Sequence, residues 1–504
     1  MQRNIETITQ TIHKYLERKS LAIEDAPWEI KKSELGGFGV FATRAIEVGE
    51  LIFKDFPVIL GPRAAPTCPL SCVSCYSRRD LRLCGKKCGL LVCSEKCEKS
   101  LGHQKECKVV RQWQSKPISE DLSVQLVRVL SPIRSLLLGE EDKSVVKCLK
   151  AHKSDQHGFE VDVMKDALAL NVKEDEEKFM RFVCSVMDSN AFEVLVGFED
   201  NQASVKGLYP LGSLANHSCC PNTCHVFDDK QHMVVRASKF IPQGSEIFHS
   251  YSRLIWSTSA RRFHLYRTKH FLCKCQRCED PTEFGSYIGS ILCKVCKTGK
   301  VIPTNSLQTD KWQCEVCGSL IKKEEVANIT FVLGSALNSF DDDDVAVMLR
   351  LLHQKLPNLV PENNQTVVEL KYKLIWILVP ENNQTVVELK YKLIWILGHQ
   401  QGFAWNDLSD EYLSLKVNFC RDLLALLELL RLGQCKMRGL LLYELYSCYN
   451  EQNNRQTKSG SVSKVHENQM KSVLQEAADI LMYDVTAPAE IKRMWSEEVQ
   501  LKKK

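Results

Sequence analysis

Hydrophobic and polar positions fall into distinct regimes along the chain. Between residues 28 and 60, short apolar runs alternate with glycine turns. Gly36-Gly37-Phe38-Gly39 precedes Val40-Phe41-Ala42, and Ile46 to Gly49 precede Leu51-Ile52-Phe53. Short runs bounded by turn residues predict strands. From 108 to 200 the apolar positions recur at helical spacing, as in Leu122, Leu126, Val129 and Ile133, with Met187 to Phe192 leading into a strand. Residues 205–252 return to strands and turns. Met233-Val234-Val235-Arg236-Ala237 reads as a strand, Pro242-Gln243-Gly244 as a turn, and Tyr251 as the end of a strand. From about 320 onward the chain reads as helices, and Leu423, Leu424, Leu427, Leu430 and Leu432, then Leu440, Leu441 and Leu445, form core-facing stripes. Met1 to Ser20 read as a polar amphipathic helix without the apolar centre of a signal peptide. Residues 360–378, VPENNQTVVELKYKLIWIL, recur identically at 379–397. Pro380 breaks a helix continuing from Leu378, so one copy is expected to pack natively and the other to form an extra short helix.

Composition narrows the function. With 504 residues and 44% hydrophobic content the chain can bury cores for roughly three domains. A net charge of +5 over this length makes no electrostatic case for direct nucleic-acid binding. No apolar run reaches the roughly 18 residues of a membrane span, and an intracellular protein, nuclear and cytoplasmic, is expected. In that setting 23 cysteines are expected as thiols, and closely spaced pairs as zinc ligands.

The cysteines form three groups. Cys72, Cys75, Cys84, Cys88, Cys93, Cys97, His103 and Cys107 offer eight ligands, enough for two zinc ions, in a segment too short to bury a core. Spacing alone leaves open which pairs share an ion. Cys273, Cys275 and Cys278 are one ligand short, and the Cys219-Cys220 pair is the obvious source of the fourth. Cys293, Cys296, Cys314 and Cys317 have the spacing of a zinc ribbon. Cys148, Cys184, Cys420, Cys435 and Cys448 sit in helical or apolar contexts and read as core.

Three further segments carry candidate chemistry. Gly37-Phe38-Gly39 is a tight turn that lets backbone approach a ligand. In Leu214-Ala215-Asn216-His217-Ser218-Cys219-Cys220-Pro221-Asn222 a polar Asn-His pair interrupts an apolar stretch, and its groups suit an amino-acid ligand. Gly244 to Tyr251 hold a Glu-x4-Tyr pattern in which Tyr251 can face a site.

In this order the segments resemble the SET-and-MYND family of lysine methyltransferases. GGFGVFATRAIEVGELIF is similar to that family's opening strands, the eight-ligand segment to its MYND finger, SLANHSCCPN to its NHSC motif and CKCQRC to its post-SET loop. The later ribbon and leucine-rich C-terminus resemble most the arthropod branch, the group that includes the insect protein msta. The resemblance implies an α+β fold: a SET-domain β-fold with an inserted MYND zinc finger, a post-SET zinc loop and a zinc ribbon, then an α-helical C-terminal domain. The segments would be an N-terminal helix (1–27), two SET parts (28–62 and 201–252), the finger (72–107), a helical insert (108–200), the post-SET loop (253–280), the ribbon (290–320) and the helical domain (321–504).

By the same resemblance, Cys72, Cys75, Cys93 and Cys97 would hold one zinc, Cys84, Cys88, His103 and Cys107 a second, and Cys219 with Cys273, Cys275 and Cys278 a third, while the ribbon cysteines would take a fourth. S-adenosyl-L-methionine would meet Gly37, Phe38, Gly39, Asn190, Asn216, His217 and Phe271. Tyr251 would be the catalytic tyrosine, and Phe192 would line the channel for the target lysine. The implied function is protein-lysine N-methyltransfer to a histone or other protein in the regulation of gene expression. The alternative is a catalytically weak SET/MYND scaffold acting as a co-regulator, with the finger taking a proline-containing peptide. A monomer that binds no membrane is expected. Three positions depart from the family pattern: Gly36 replaces a common basic residue, Cys220 a common aspartate, and Lys269 a channel tyrosine.

Overall fold

The computed structural model of the chain describes residues 4–21, 25–62, 70–113, 120–152, 158–168, 172–196, 203–308, 310–339, 347, 350–376, 408–458 and 464–494. The opening helix is Ile5–Arg18, started by Asn4, whose side chain accepts from the Glu6 amide. It buries Ile8, Ile12, Tyr15 and Leu16.

Four strands follow: β1 (Trp28–Lys32), β2 (Phe38–Ala42), β3 (Leu51–Asp55) and β4 (Ile59–Pro62). β1 and β2 form an antiparallel hairpin with Trp28 opposite Ala42 and Lys32 opposite Phe38. Its turn needs positive φ at Gly36 (94°) and Gly37 (77°), a conformation open to glycine without strain. The turn is therefore Ser33–Gly37, and Phe38 and Gly39, expected within it, already belong to β2.

The zinc-finger segment carries a two-stranded ribbon, β5 (Arg82–Leu83) and β6 (Leu91–Val92), and the helix Leu101–Trp113, which holds His103 and Cys107 and runs on past them. Among the described residues the following region carries helices, as its periodicity predicts, the last of them Glu174–Asn190. Arg134 ties finger to β-fold: it donates to Tyr76 Oη (2.6 Å), Val73 O (2.6 Å), Glu106 (2.6 Å) and the Leu60 carbonyl of β4.

Then come β7 (Phe192–Val196), β8 (Ala203–Leu208), β9 (Thr223–Phe227), β10 (Met233–Ala237) and β11 (Glu246–Ile247). The β-fold is three small sheets, β1-β2-β11, β3-β10-β9 and β4-β8-β7, around one core that includes Val40, Ile46, Val205, Leu211 and Val235. A second core joins the ribbon strands β12 (Ile291–Leu292), β13 (Lys300–Pro303), β14 (Lys311–Cys314) and β15 (Leu320–Lys322) to the C-terminal helices.

Those helices include Lys323–Ser339, Gln365–Trp376, Asp410–Leu429, Lys436–Lys458 and Lys464–Leu481. Leu423, Leu427, Leu430, Leu440, Leu441 and Leu445 are all buried, as their spacing predicts. The first copy of the repeat packs through Val367, Val368 and Leu370, whereas the second copy lies outside the described residues. Helical domain and β-fold meet at Gly433 (φ 62°), where an added Cβ would stand 2.2 Å from the Ser238 carbonyl. Among the described residues no helix is long and apolar enough to cross a membrane.

Candidate functional site

The loop Leu214–Asn222 runs alongside the segment that follows β11. His217 and His249 pair as a parallel bridge, with His249 N donating to Asn216 O and Ser218 N to His249 O, both at 2.9 Å. Asn222 clamps the other end, donating to Glu246 O (2.9 Å) and accepting from Phe248 N (2.7 Å). This pairing ends β11 at Ile247. Tyr251, expected at a strand end, therefore sits four residues further on in a loop.

The Tyr251 side chain turns back onto the Asn-His loop and donates from Oη to the Ala215 carbonyl at 2.6 Å. Burial and the Glu246 carboxylate raise its pKa, so the phenol stays protonated. His217 holds the backbone beneath it, because Nδ1 accepts from the Tyr251 amide at 2.9 Å while Nε2 lies 3.3 Å from Cys219 Sγ. Burial pushes the imidazole down to about 3, so His217 is neutral. Its ring also lies against Tyr251 (5.3 Å between centroids) and Phe271 (5.9 Å).

Asn216 reaches the other way, donating from Nδ2 to Phe38 O (3.1 Å) and Glu246 Oε1 (2.6 Å). The second carboxylate oxygen accepts from Ser33 Oγ at 2.9 Å. This polar knot packs directly on Gly39, where an added Cβ would come within 2.1 Å of Glu246 Oε1. Gly36 and Gly37 face open space, with nothing within 4 Å of an added Cβ. Ser33 and Glu246 thus belong to the site, although the sequence reading gave neither a role. Asn190, at the end of its helix, donates to Lys150 O (2.7 Å) and Val186 O (2.8 Å). Phe192 packs edge-on against Tyr209, His225 and His249. Lys269 donates to Ser189 O at 2.7 Å and lies 5.6 Å from the centre of the Tyr251 ring.

All sixteen candidate metal ligands come together in four sets of four: Cys72, Cys75, Cys93, Cys97; Cys84, Cys88, His103, Cys107; Cys219, Cys273, Cys275, Cys278; and Cys293, Cys296, Cys314, Cys317. Within each set the ligand atoms lie within 4.8 Å of one another. Tetrahedral thiolates at a Zn–S distance of about 2.3 Å stand about 3.8 Å apart. The pairs Cys75–Cys93 (3.4 Å), Cys219–Cys278 (3.5 Å), Cys219–Cys273 (3.9 Å) and Cys293–Cys317 (3.7 Å) fit that geometry. Both ring nitrogens of the buried His103 have no protein partner, which suits a ligand of the second set. The finger's alternating pairs give the cross-brace that spacing left open.

Beneath the third set lies a buried charge cluster. Arg261 and Arg277 share the Glu283 carboxylate at 2.6 and 3.0 Å. Arg261 also reaches Cys278 Sγ at 3.5 Å, and Arg277 donates to the carbonyls of Leu254 (2.6 Å) and Cys219 (3.4 Å). A four-thiolate zinc site carries two negative charges, and two guanidiniums sharing one carboxylate offset part of that excess. Structurally, this cluster fixes Cys219, two residues from His217.

The SET domain family matches residues 37–252. SET domain-containing protein SmydA-8, isoform B, of Drosophila melanogaster is 32% identical over 436 residues, covering 84% of this chain and 91% of that protein. N-lysine methyltransferase SMYD2-A of Xenopus laevis is 25% identical over 258 residues, 48% of this chain and 58% of that protein. Histone-lysine N-methyltransferase SMYD3 of Mus musculus is 28% identical over 269 residues, 48% and 59% respectively. The ordered sequence motifs, the β-fold interrupted by a finger with paired ligand sets, and this similarity along most of its length make the chain a member of the SET-and-MYND family.

Proposed function

We propose that the chain is a protein-lysine N-methyltransferase that uses S-adenosyl-L-methionine and acts in the nucleus and cytoplasm on a protein substrate, histone or other, in the regulation of gene expression. The observation that carries the reading is the Tyr251 phenol, kept protonated and fixed against Ala215 one residue from Asn216. Relatives named as lysine methyltransferases support it.

The open face at Gly36 and Gly37, the Asn216 amide and the Phe271 ring offer what an amino-acid nucleoside needs: space beside backbone, a polar anchor and an aromatic surface. When bound, the cofactor supplies an electrophilic methyl on a sulfonium. The protein's part is then alignment and a fixed electrostatic environment. Tyr251 orients the incoming amine, and Phe192 with its aromatic neighbours walls an apolar approach. A lysine must be neutral to attack, and desolvation in such a wall lowers its pKa from about 10.4. No side chain needs to act as general base.

The four cysteine sets hold zinc in this reading, two ions in the finger, one beside the site and one in the ribbon. The finger serves as a docking module for a proline-containing peptide, and the protein acts as a monomer. The test is transfer of labelled methyl from S-adenosyl-L-methionine to histones and to proteins of a cell extract. Labelling by the parent protein and none by Tyr251→Phe supports the reading. Equal labelling by both removes Tyr251 from the mechanism, and none by either favours a scaffold.

A further inference from the structure

The amine of Lys269 lies over the face of Tyr251, the residue proposed above to orient the incoming amine. It is fixed between Ser189, the neighbour of Asn190, and the face of Tyr251, at 2.7 Å from the Ser189 carbonyl and 5.6 Å from the ring centre. Of these two flanking groups, Tyr251 is the proposed catalytic tyrosine, and Ser189 directly precedes the proposed cofactor residue Asn190. Lys269 is the last residue of the helix Thr258–Lys269, whose start is tied to Glu283 through the Thr258 amide at 2.7 Å. His270 follows in the left-handed conformation (φ 59°) and turns the chain towards Phe271 and Cys273. The side chain is therefore presented from a fixed support.

The immediate partner of the amine is a neutral carbonyl. Asp188, whose charge acts on it, is paired with Lys206 at 3.6 Å. Burial, aided by Lys206 and opposed by Asp188, brings the amine down to about 8. A neutral amine keeps an N–H for Ser189 and frees a lone pair.

We propose that Lys269 is an internal methyl acceptor, so that the protein methylates its own chain at this residue in cis. The proposal rests on the S-adenosyl-L-methionine reading of the site. The Lys269 Nζ lone pair forms the N–C bond to the methyl as the methyl's C–S bond breaks, and that electron pair stays on sulfur, leaving a neutral thioether. The methylammonium formed then releases one proton to water. While Lys269 holds this place it excludes an external lysine, so the two acceptors compete for one position.

Two measurements on the full zinc-loaded chain test this. In the first, Lys269 is followed in the cofactor-free protein by carbon NMR of lysine Cε, its signal assigned by its absence in Lys269→Arg. Titration near 8 is expected; titration at the ordinary lysine value of about 10.4 overturns the placement. In the second, protein titrated calorimetrically with S-adenosyl-L-methionine is then incubated with it, and the peptide spanning Lys269 is weighed. Gain of a methyl mass at a first-order rate that does not change on dilution, and about 100-fold slower in Tyr251→Phe, supports the proposal. Cofactor binding without a methyl on Lys269 overturns it and leaves the cofactor reading standing. Absence of binding overturns the cofactor reading and this inference with it. Methylation of Lys269 in a Tyr251→Phe chain by added parent protein overturns the cis route.

Discussion

Tyr251 has one side-chain role fixed by geometry and one by chemistry. Its hydroxyl already donates to Ala215. Tyr251→Phe therefore removes one hydrogen bond, worth about 1 kcal/mol of stability. It also removes the group that orients the amine, and methyl transfer is expected to fall about 100-fold or more while thermal unfolding shifts little. A variant that loses activity only because it unfolds would contradict this division. Glu283 presents the opposite case. Its carboxylate lies between two guanidiniums that are fully buried. Glu283→Ala leaves both charges uncompensated and is expected to lose about 3–5 kcal/mol in denaturant unfolding. A loss under about 1 kcal/mol would show that the thiolates alone hold the arginines. Nothing in the sequence pairs Glu283 with Arg261, because the 22-residue separation has no local period. Lys269 was legible as a departure from the family pattern, but its contact with Ser189 needed the fold, since 80 residues separate them.

At the scale of elements, periodicity served well where packing followed it. Leu423, Leu427 and Leu430 are buried at helical spacing, and Val40 to Ala42 form a strand as their glycine flanks suggest. Tyr251 was misplaced because β11 ends on a loop-to-loop bridge, His217 to His249, that alternation of side chains does not encode. The candidate metal ligands divide the same way. Spacing identified all of them but the fourth of the third set, which it left between Cys219 and Cys220, and the pairing within the finger depends on the chain folding back through β5 and β6. The third set also carries a mechanical link, since Cys219 touches His217, and His217 holds the Tyr251 amide. Cys219→Ser is expected to lower bound zinc by one ion in four, counted by atomic emission, and to depress methyl transfer although Cys219 itself meets no substrate. Full activity in zinc-depleted Cys219→Ser protein would break that link.

For the whole molecule, buried titratable groups set opposite pH limbs. Burial lowers His225 to about 4 and His249 well below its ordinary value, so both are neutral when folded. Their contribution is complete above the unfolded value of about 6.5 and is lost as pH falls towards the folded value. For His225 alone the loss is on the order of 3 kcal/mol. Asp55 acts with the other sign. Burial raises it to about 7 although it accepts from the Gly212 and Phe56 amides at 2.8 Å. Its contribution is complete below about 3.9 and is lost as pH rises through 7. These windows overlap between about 4 and 6.5, so the two slopes oppose each other, and variants separate them in unfolding free energy measured across pH 4–8 with zinc content followed in parallel. His225→Phe should remove a gain in stability with rising pH and Asp55→Asn should remove a loss, and unchanged profiles would refute these assignments.

The central claim is that the loop around Asn216, the glycine turn before β2 and Tyr251 form an S-adenosyl-L-methionine site. Its most direct test is a calorimetric titration of the folded, zinc-replete protein with S-adenosyl-L-methionine, beside an Asn216→Ala variant shown to be folded and zinc-replete. The account predicts micromolar binding by the parent chain and a marked loss in the variant. No detectable binding by the parent chain would contradict it and leave the fold serving as a scaffold.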